Sequence, residues 1–487
     1  MPHRKDLQKA IVVAVIYRIY FCLLYESVSE SFCTKMHKVS DKLHHLSVKS
    51  AASKKYDTLR VFLCTWNVGA AGPPKDLTEL LDLKEEQLPD IYGIGFQELD
   101  PTDKDMKDNQ WTSRLTDELG KINYVRIKVV RMQAISLQVF VKRHLLLHVS
   151  SIESEYSKAG MGGWWGNKGG VSIRFDVGGA NVIIVNTHLA AHLEEMAERI
   201  EDYNVVLNTQ KFRDPDVENI LDHDYVFWMG DLNCRLENIS RDAALKCIEN
   251  NDLDKLLKLD QLKKAQQEGL ILVDFQEGPI NFKPTYKFDK DTDNYDTSEK
   301  QRIPAWCDRI LYKTHVDIEG LHLTKRKYFS PAYNKGDHKP VSASFDVNLI
   351  HYKSRPSFKE SDHKPMTGLF EFKVFTMEAN PFVIFDPINK WQYGQTQKFH
   401  YKIRCGIEPD SSPWDYIALY KADFKTFDEY RTWVYGKNNA EDKGDKGVTL
   451  EMKGSYLKEP PGKYVLCYIS KYKNWLRGMS NVFEIVG

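Results

Sequence analysis

The stretch Asp224-Tyr225-Val226-Phe227-Trp228-Met229-Gly230-Asp231-Leu232-Asn233-Cys234-Arg235 decides the fold. Six residues of strand-forming character stop on Gly-Asp-Leu-Asn, so a buried strand delivers a carboxylate and a carboxamide to the rim of a sheet. Two apart on an extended chain, Asp231 and Asn233 are expected to point the same way. Asp231 would take a proton from water while Asn233 orients that water. A plain Asp/Asn turn after a strand has the same letters. Company favours the functional reading, because other strands end alike: Val61 to Trp66 on Asn67, Ile91 to Phe96 on Gln97-Glu98, and Asn181 to Thr187 on His188.

Working outward, helices are expected from Asp76 to Leu88 (Leu77, Leu80, Leu81 and Leu88 on one side), Trp111 to Leu119, and His192 to Phe212. Leu193, Met196, Ala197, Ile200 and Leu207 mark the inner side of the last. Two shorter helices are expected at Arg241 to Glu249 and Leu253 to Gln267. Tyr124 to Val130 and Ser136 to Val141 read as an antiparallel pair, and a glycine-rich loop, Gly160 to Gly170, precedes the strand Val171 to Val177. This order predicts two stacked mixed sheets clad by helices, an α/β four-layer sandwich with its polar strand ends along one edge. Beyond Lys373 only short alternating strands remain, so residues 374–487 are read as a separate all-β sandwich.

Composition narrows the function. Lys+Arg and Asp+Glu balance at 68 each, so no global field steers the chain to nucleic acid, and an anionic partner must be met by a local cluster. The eight cysteines include no Cys-x-x-Cys pair, which reads as reduced thiols in a cytoplasmic protein. Residues 1–57 form an N-terminal extension whose apolar run, Ile11 to Tyr25, falls short of the roughly 20 residues that span a bilayer. A membrane-contacting extension and a dispensable leader fit it equally.

Glu98 with Asn67 offers hard oxygen ligands suited to Mg2+. His188 can donate to a phosphate oxygen, and an Asp-His pair can hold a charged imidazole against the same anion. The absence of a Cys or second His at ligand spacing disfavours zinc. Together these residues describe metal-assisted phosphoester hydrolysis with water as nucleophile.

Thr65-Trp66-Asn67, Phe96-Gln97-Glu98, Trp164 to Gly170, Asn186-Thr187-His188, Trp228 to Asn233, Pro284 to Asp289 and Pro304 to Arg309 resemble the inositol polyphosphate 5-phosphatase family. The likeness runs from about Leu59 to Lys373, giving a catalytic domain at 58–373. The C-terminal sandwich, with Ser412 to Tyr420, is similar to an immunoglobulin-like SKICH domain, a targeting module in that family. The resemblance implies the exonuclease-endonuclease-phosphatase (DNase I-like) fold, Mg2+ dependence, and removal of the 5-phosphate from phosphoinositide lipids or soluble inositol polyphosphates. It implies Asn67 and Glu98 at the metal, Asp231 and Asn233 at the water, and His188 with the Asp-His pair at the phosphate. It also implies substrate binding by Asn167 and Lys168, and reading of the 4-phosphate by Tyr286, Lys287, Lys300 and Arg302. A lipid substrate implies peripheral association with the plasma membrane or endoplasmic reticulum, with Met161, Trp164 and Trp165 as a membrane-touching lip.

The chain departs from the family by carrying its Asp-His motif twice. Gly336-Asp337-His338-Lys339-Pro340 and Ser361-Asp362-His363-Lys364-Pro365 stand 25 residues apart. The second keeps the serine and leads directly into the sandwich, which favours Asp362 and His363, with Asp337 and His338 as the alternative. Two rival functions remain: a nuclease or sphingomyelinase on the same fold, and a non-catalytic adaptor acting through partners of the SKICH-like domain. The balanced charge argues against a duplex track, which needs an extended basic face.

Overall fold

The structure is a computed structural model that describes residues 56–102, 109–160, 167–314, 347–375, 377, 381–404, 412, 414–436, 447–471 and 475–487. The N-terminal run, Met161, Trp164, Trp165, Asp337 and His338 lie outside the described residues.

Among the described residues, two six-stranded sheets make the first body. In one, β11 (Val347–Ser354), β12 (Met366–Phe375), β1 (Tyr56–Asn67), β2 (Ile91–Gln97), β4 (Ile135–Lys142) and β3 (Tyr124–Met132) lie side by side in that order. In the other the order is β5 (Val149–Ala159), β6 (Lys168–Val177), β7 (Ala180–His188), β8 (Tyr225–Asp231), β10 (Asp308–Thr314) and β9 (Gln276–Glu277). Each sheet contains one parallel pair, β1–β2 and β7–β8, and its other pairings are antiparallel.

Alternation sorts the side chains into layers. Val61 and Leu63 of β1 pack between the sheets with Tyr225, Phe227 and Met229 of β8. Phe62, Cys64 and Trp66 face outward onto Leu115 and Leu119 of helix α1 (Gln110–Lys121), and Val226 and Trp228 face α2 (Met196–Thr209). Helix, sheet, sheet and helix are therefore the four layers expected, with α3 (Arg241–Glu249), α4 (Leu253–Leu257) and α5 (Gln261–Gln267) completing the cladding.

Some elements differ from the sequence reading. Residues 76–88 form turns rather than a helix: Leu77, Leu80 and Leu81 are buried, but Asp82 has a φ of +51°, which ends the single turn closed by Leu81 N–H on Leu77 O. Helix α2 is shorter than expected and turned, burying Arg199, Asp202, Tyr203 and Val206 while Ala197 is exposed. Arg199 donates to Ala190 O at 3.1 Å and Asp202 accepts from Ala190 N–H at 2.9 Å, so this face clamps the chain just beyond His188. Strand β5 shows no apolar run, because it lies along a sheet edge with Ser151 and Ser157 buried and Ser150, Glu153, Ser154 and Glu155 half-covered.

The second body has a three-stranded sheet, β13 (Val383–Phe385), β15 (Gln397–Ile403) and β18 (Val448–Met452). It stacks on a larger sheet of β14 (Lys390–Gln392), β21 (Phe483–Val486), β19 (Gly462–Ser470), β16 (Tyr416–Lys421) and β17 (Thr432–Tyr435), with β20 (Trp475–Met479) also on β19. It is not free of the first body: Ala418, Tyr420, Phe424, Val465 and Cys467 belong to the same continuous core as the two large sheets.

Candidate active site

The inner faces of the parallel pairs are apolar where the strands begin and polar where they end. Along β2 and β7 the inward row runs Ile91, Gly93, Gly95, Gln97 and Val182, Ile184, Asn186, His188. Gln97 Nε2 donates to Asn186 Oδ1 at 2.6 Å and Asn186 Nδ2 to Ser136 O at 2.8 Å, forming a buried amide layer between the core and the rim. Gly95 makes room for it, since a Cβ there would stand 2.5 Å from the Asn186 amide carbon. Asn67, His188 and Asp231 sit above this layer, at the ends of β1, β7 and β8.

Asn67 Nδ2 donates to Glu98 Oε1 and Asp231 Oδ2, both at 3.0 Å, while its Oδ1 accepts from Gly69 N–H at 3.1 Å. The amide nitrogen thus faces the carboxylates. Asn67 acts as a clamp, and Glu98 is the oxygen donor. The Glu98 side chain is half exposed, at a left-handed φ of +53° that swings it off the strand end. A half-exposed carboxylate beside the buried Asp231 fits a hard divalent cation that keeps several waters.

Asp231 is buried, with Oδ2 3.4 Å from His188 Nε2 and 3.8 Å from His363 Nε2. Burial raises its pKa, but the His363 charge, the hydrogen bond with His188, and Lys168 outweigh it and hold the carboxyl far below its usual range. Lys168 Nζ stands 2.6 Å from His188 Nε2. Burial first, and then the lysine charge, push the His188 pKa down, which favours neutral imidazole.

The second Asp-His copy is the one at the site. His363 Nδ1 is 2.9 Å from Asp308 Oδ2, which also accepts from Thr285 Oγ1 at 2.7 Å. Burial opposes the His363 charge, yet Asp308 and Asp231 raise its pKa to about 9. Ser361 Oγ donates to Asn67 O at 2.6 Å, and Trp66 Nε1 to His363 O at 3.0 Å, tying this copy to the end of β1. Asp231, Asp308 and His363 lie close enough to suggest a cation site, but a His363 that holds its proton against Asp308 orients towards an anion instead. Asp308 went unread as a site residue. The signal for it was its position, first on a strand that follows the site loops.

Asn233 does not point with Asp231. β8 ends at Asp231, and Asn233 lies beyond it at a φ of +54°. Its Nδ2 donates to Leu189 O at 3.0 Å and its Oδ1 accepts from Arg235 Nη2 at 2.6 Å, so the amide is occupied by protein. Its backbone N–H instead holds Asp231 Oδ1 at 3.0 Å.

Lys287 Nζ is 3.2 Å from Asp362 Oδ2 at the open side of the site. Tyr286 is buried between the His363 ring, 4.5 Å away, and the Arg235 guanidinium, 4.1 Å away, so it packs against the machinery. Arg302 Nη2 reaches His192 Nδ1 at 3.4 Å, while Lys300 and Asn167 are exposed.

The chain is similar to known proteins over most of its length. The family described as Endonuclease/Exonuclease/phosphatase family 2 matches residues 64–344, and the SKICH domain matches residues 383–485. The first match ends before Asp362 and so spans the other Asp-His copy, whereas the structure places His363 against Asp308. Phosphatidylinositol 4,5-bisphosphate 5-phosphatase A of Rattus norvegicus is 34% identical over 445 residues, 88% of this chain and 42% of that protein. The chain thus spans about two fifths of the length of that relative. Inositol polyphosphate 5-phosphatase K of Mus musculus is 34% identical over 460 residues, covering 90% of this chain and 92% of the relative.

Among solved structures, the inositol polyphosphate 5-phosphatase domain of SPsynaptojanin, in complex with inositol (1,4)-bisphosphate and calcium ion, is 30% identical with a TM-score of 0.57. It covers 68% of this chain and 89% of that one. A Cimex nitrophorin in its ferrous NO complex, 24% identical with a TM-score of 0.51 over 65% of this chain and 99% of that one, shares the fold alone. With a matching family over more than half its length and a relative aligned nearly end to end, the chain belongs to the inositol polyphosphate 5-phosphatase family, in the form that carries a SKICH domain.

Proposed function

We propose that the chain hydrolyses the 5-phosphate of phosphoinositides, phosphatidylinositol 4,5-bisphosphate and 3,4,5-trisphosphate, and of soluble inositol polyphosphates. The observation that carries this is Asp231, a buried carboxylate held ionised at the strand ends beside the cationic His363. Asp231 accepts the proton of the attacking water, the phosphorus–oxygen bond to inositol C5 breaks, and the leaving oxygen is protonated from solvent. In the resting site His363 makes Asp231 a weak base. An anionic phosphate oxygen that accepts a hydrogen bond from His363 Nε2 offsets the imidazolium charge and raises the basicity of Asp231. Asp308 keeps the imidazolium aimed, and neutral His188 stacks no second positive charge beside it.

Glu98, with Asn67 holding it, would carry Mg2+, which when bound neutralises phosphate charge. Lys287, Arg302 and Lys300 supply cations for the neighbouring 4-phosphate, while at the scissile one Lys168 supplies a cation and Asn167 a neutral amide donor. The lipid substrate supports a cytoplasmic enzyme peripherally associated with the plasma membrane or endoplasmic reticulum, with Met161, Trp164 and Trp165 as its membrane contact and protein partners on the SKICH domain. Phosphate release from 4,5-bisphosphorylated lipid and soluble inositol phosphate, with and without EDTA, tests the reading. Release that EDTA abolishes and Mg2+ restores is expected, and no release from either substrate overturns it.

A further inference from the structure

Helix α2 lies across the second sheet, and its contacts lead towards the rim. At its C-terminal end Thr209 Oγ1 stands 2.6 Å from Ser157 Oγ of β5. Val206 packs over Gly170 of β6, where a Cβ would stand 3.0 Å from it and 2.8 Å from Thr187 of β7. Ser157, Gly170 and Thr187 lie opposite one another on these three strands. One turn before Val206, the buried Asp202 reaches the ends of two of them. Its Oδ1 accepts from Gly160 N–H at 3.0 Å, just past β5, and its Oδ2 from Ala190 N–H at 2.9 Å, just past β7.

These two amides belong to the backbones beside Lys168 and His188. Gly160, at a φ of +76°, lies so close to the start of β6 that a Cβ would stand 3.3 Å from Lys168 Cβ. Ala190 follows His188 by two residues, and Arg199 of the same helix donates to its carbonyl at 3.1 Å. Leu189, between them, donates its N–H to Asp231 O at 3.0 Å. On this footing the Lys168 and His188 side chains meet at 2.6 Å.

We propose that Asp202 is a positioning residue, whose ionised carboxylate joins the ends of β5 and β7 and so keeps Lys168 against His188 when substrate arrives. The role rests on the 5-phosphatase reading, in which both side chains face the scissile phosphate. Two carboxylate oxygens match two N–H donors. An asparagine accepts with one oxygen and turns its NH2 on the other amide, and a protonated carboxyl turns an O–H there.

Charge matters as well as shape. Burial pushes the Lys168 pKa below its usual value, against the charges of Asp231, Glu98 and Asp202. In the reaction Asp231 takes up a proton and Glu98 serves the cation, so of these three carboxylates Asp202 keeps its charge for Lys168 throughout. Among the described residues, Glu198 of the same helix and Lys168 of β6 bring their charges to Asp202, while β5 and the chain after β7 meet it with backbone N–H groups. Burial, the largest influence, raises the Asp202 pKa to about 6 against the two amides, with Glu198 adding to the rise and Lys168 opposing it. The clamp is closed above about pH 6 and opens as pH falls below it. Stability moves the other way, because a carboxyl pKa raised on folding favours the folded chain as the proton binds. Acid loss of activity by this route is therefore not unfolding.

The test measures kcat for phosphate release from saturating 4,5-bisphosphorylated soluble inositol phosphate across pH, with Mg2+ present, for the parent, Asp202→Asn and Thr209→Val. The parent should lose kcat along an acid limb near pH 6. Folded Asp202→Asn should be slower at neutral pH by about tenfold or more, as loss of a charge-assisted hydrogen bond allows, and should lack that limb. Thr209→Val, which cuts the contact at the other end of the helix, should keep the parent rate and limb. Parent kcat in folded Asp202→Asn overturns the proposal, as does an equal loss in Thr209→Val. A slower Asp202→Asn that retains the limb also overturns it and leaves Asp202 a structural residue only. Should that variant fail to fold, the parent's NMR signals decide: the Gly160 and Ala190 amides should shift together near pH 6, and amides that do not titrate there overturn the clamp. A parent that releases no phosphate at any pH overturns instead the 5-phosphatase reading on which the role rests.

Discussion

Asp231 and Asp308 face each other across adjacent antiparallel strands, and their surroundings push them in opposite directions. Burial dominates at Asp308 and raises its pKa against the pull of His363. At Asp231 the charges of His363 and Lys168, with the His188 hydrogen bond, win over burial. One carboxylate is thereby set to fix an imidazole, the other to stay ionised before the water.

Asp231→Asn removes the proton acceptor without changing the strand end's shape. A loss of about 100-fold or more in phosphate release is expected, as for a general base, with an unchanged circular dichroism spectrum. Parent-rate turnover by the folded variant would remove Asp231 from the mechanism.

His363→Ala deletes the imidazole on Asp308, and His338→Ala changes the other motif copy. The first should cut phosphate release by on the order of 100-fold, a buried charged hydrogen bond being worth about 1.5–3 kcal/mol. The second should leave it at the parent level. Parallel assays decide, and the reverse result would seat the first copy instead.

His363 has a folded pKa of about 9, above its unfolded value. Its contribution to stability is fully present below about pH 6.5 and is lost as pH rises through about 9, an effect on the order of 3 kcal/mol. Its imidazole NMR signals should titrate near pH 9 in the parent and markedly lower in Asp308→Asn. Titration unmoved by that substitution would show that Asp308 is not the source of the shift.

Lys287→Ala and Arg302→Ala should lower activity on substrates bearing a 4-phosphate more than on those without one. A charge-assisted contact of about 1.5–3 kcal/mol corresponds to tenfold or more between the two classes. For Lys287 the effect is compounded, because Asp362 loses its partner at 3.2 Å and turns a bare carboxylate on the substrate. Equal losses on both classes would make these residues general anion binders.

The strands that carry the site were legible because a buried strand of an α/β sheet is a short apolar run, and Asn67, His188 and Asp231 terminate such runs. What lies past a strand end was not. Asn233 turns away because a positive φ breaks the alternation that spacing relies on. The Asp76–Leu88 segment misled because leucines packed by a turn have the same spacing as leucines on a helix, and only the backbone of Asp82 separates them. Asp308 was hidden by distance: its partner His363 is 55 residues away, a pairing that register creates and no local pattern announces. The two Asp-His copies are nearly identical as letters. The choice between them came from Ser361, whose hydroxyl reaches the backbone of Asn67.

The pairing of β1 with β12 joins the first and last strands of the catalytic body, Tyr56 opposite Phe375 and Thr65 opposite Met366. On a growing chain the consequence is temporal. Trp66 and Asn67 leave the ribosome nearly 300 residues ahead of their partners His363 and Ser361. At about 5–20 residues per second of synthesis, β1 waits tens of seconds with an unpaired edge. Such non-local closure is slow and exposes the nascent strand to wrong partners. Any message cut short before codon 366 yields a chain whose first strand has no β12 to pair with, and a stop before codon 363 leaves Asp308 with no imidazole to hold.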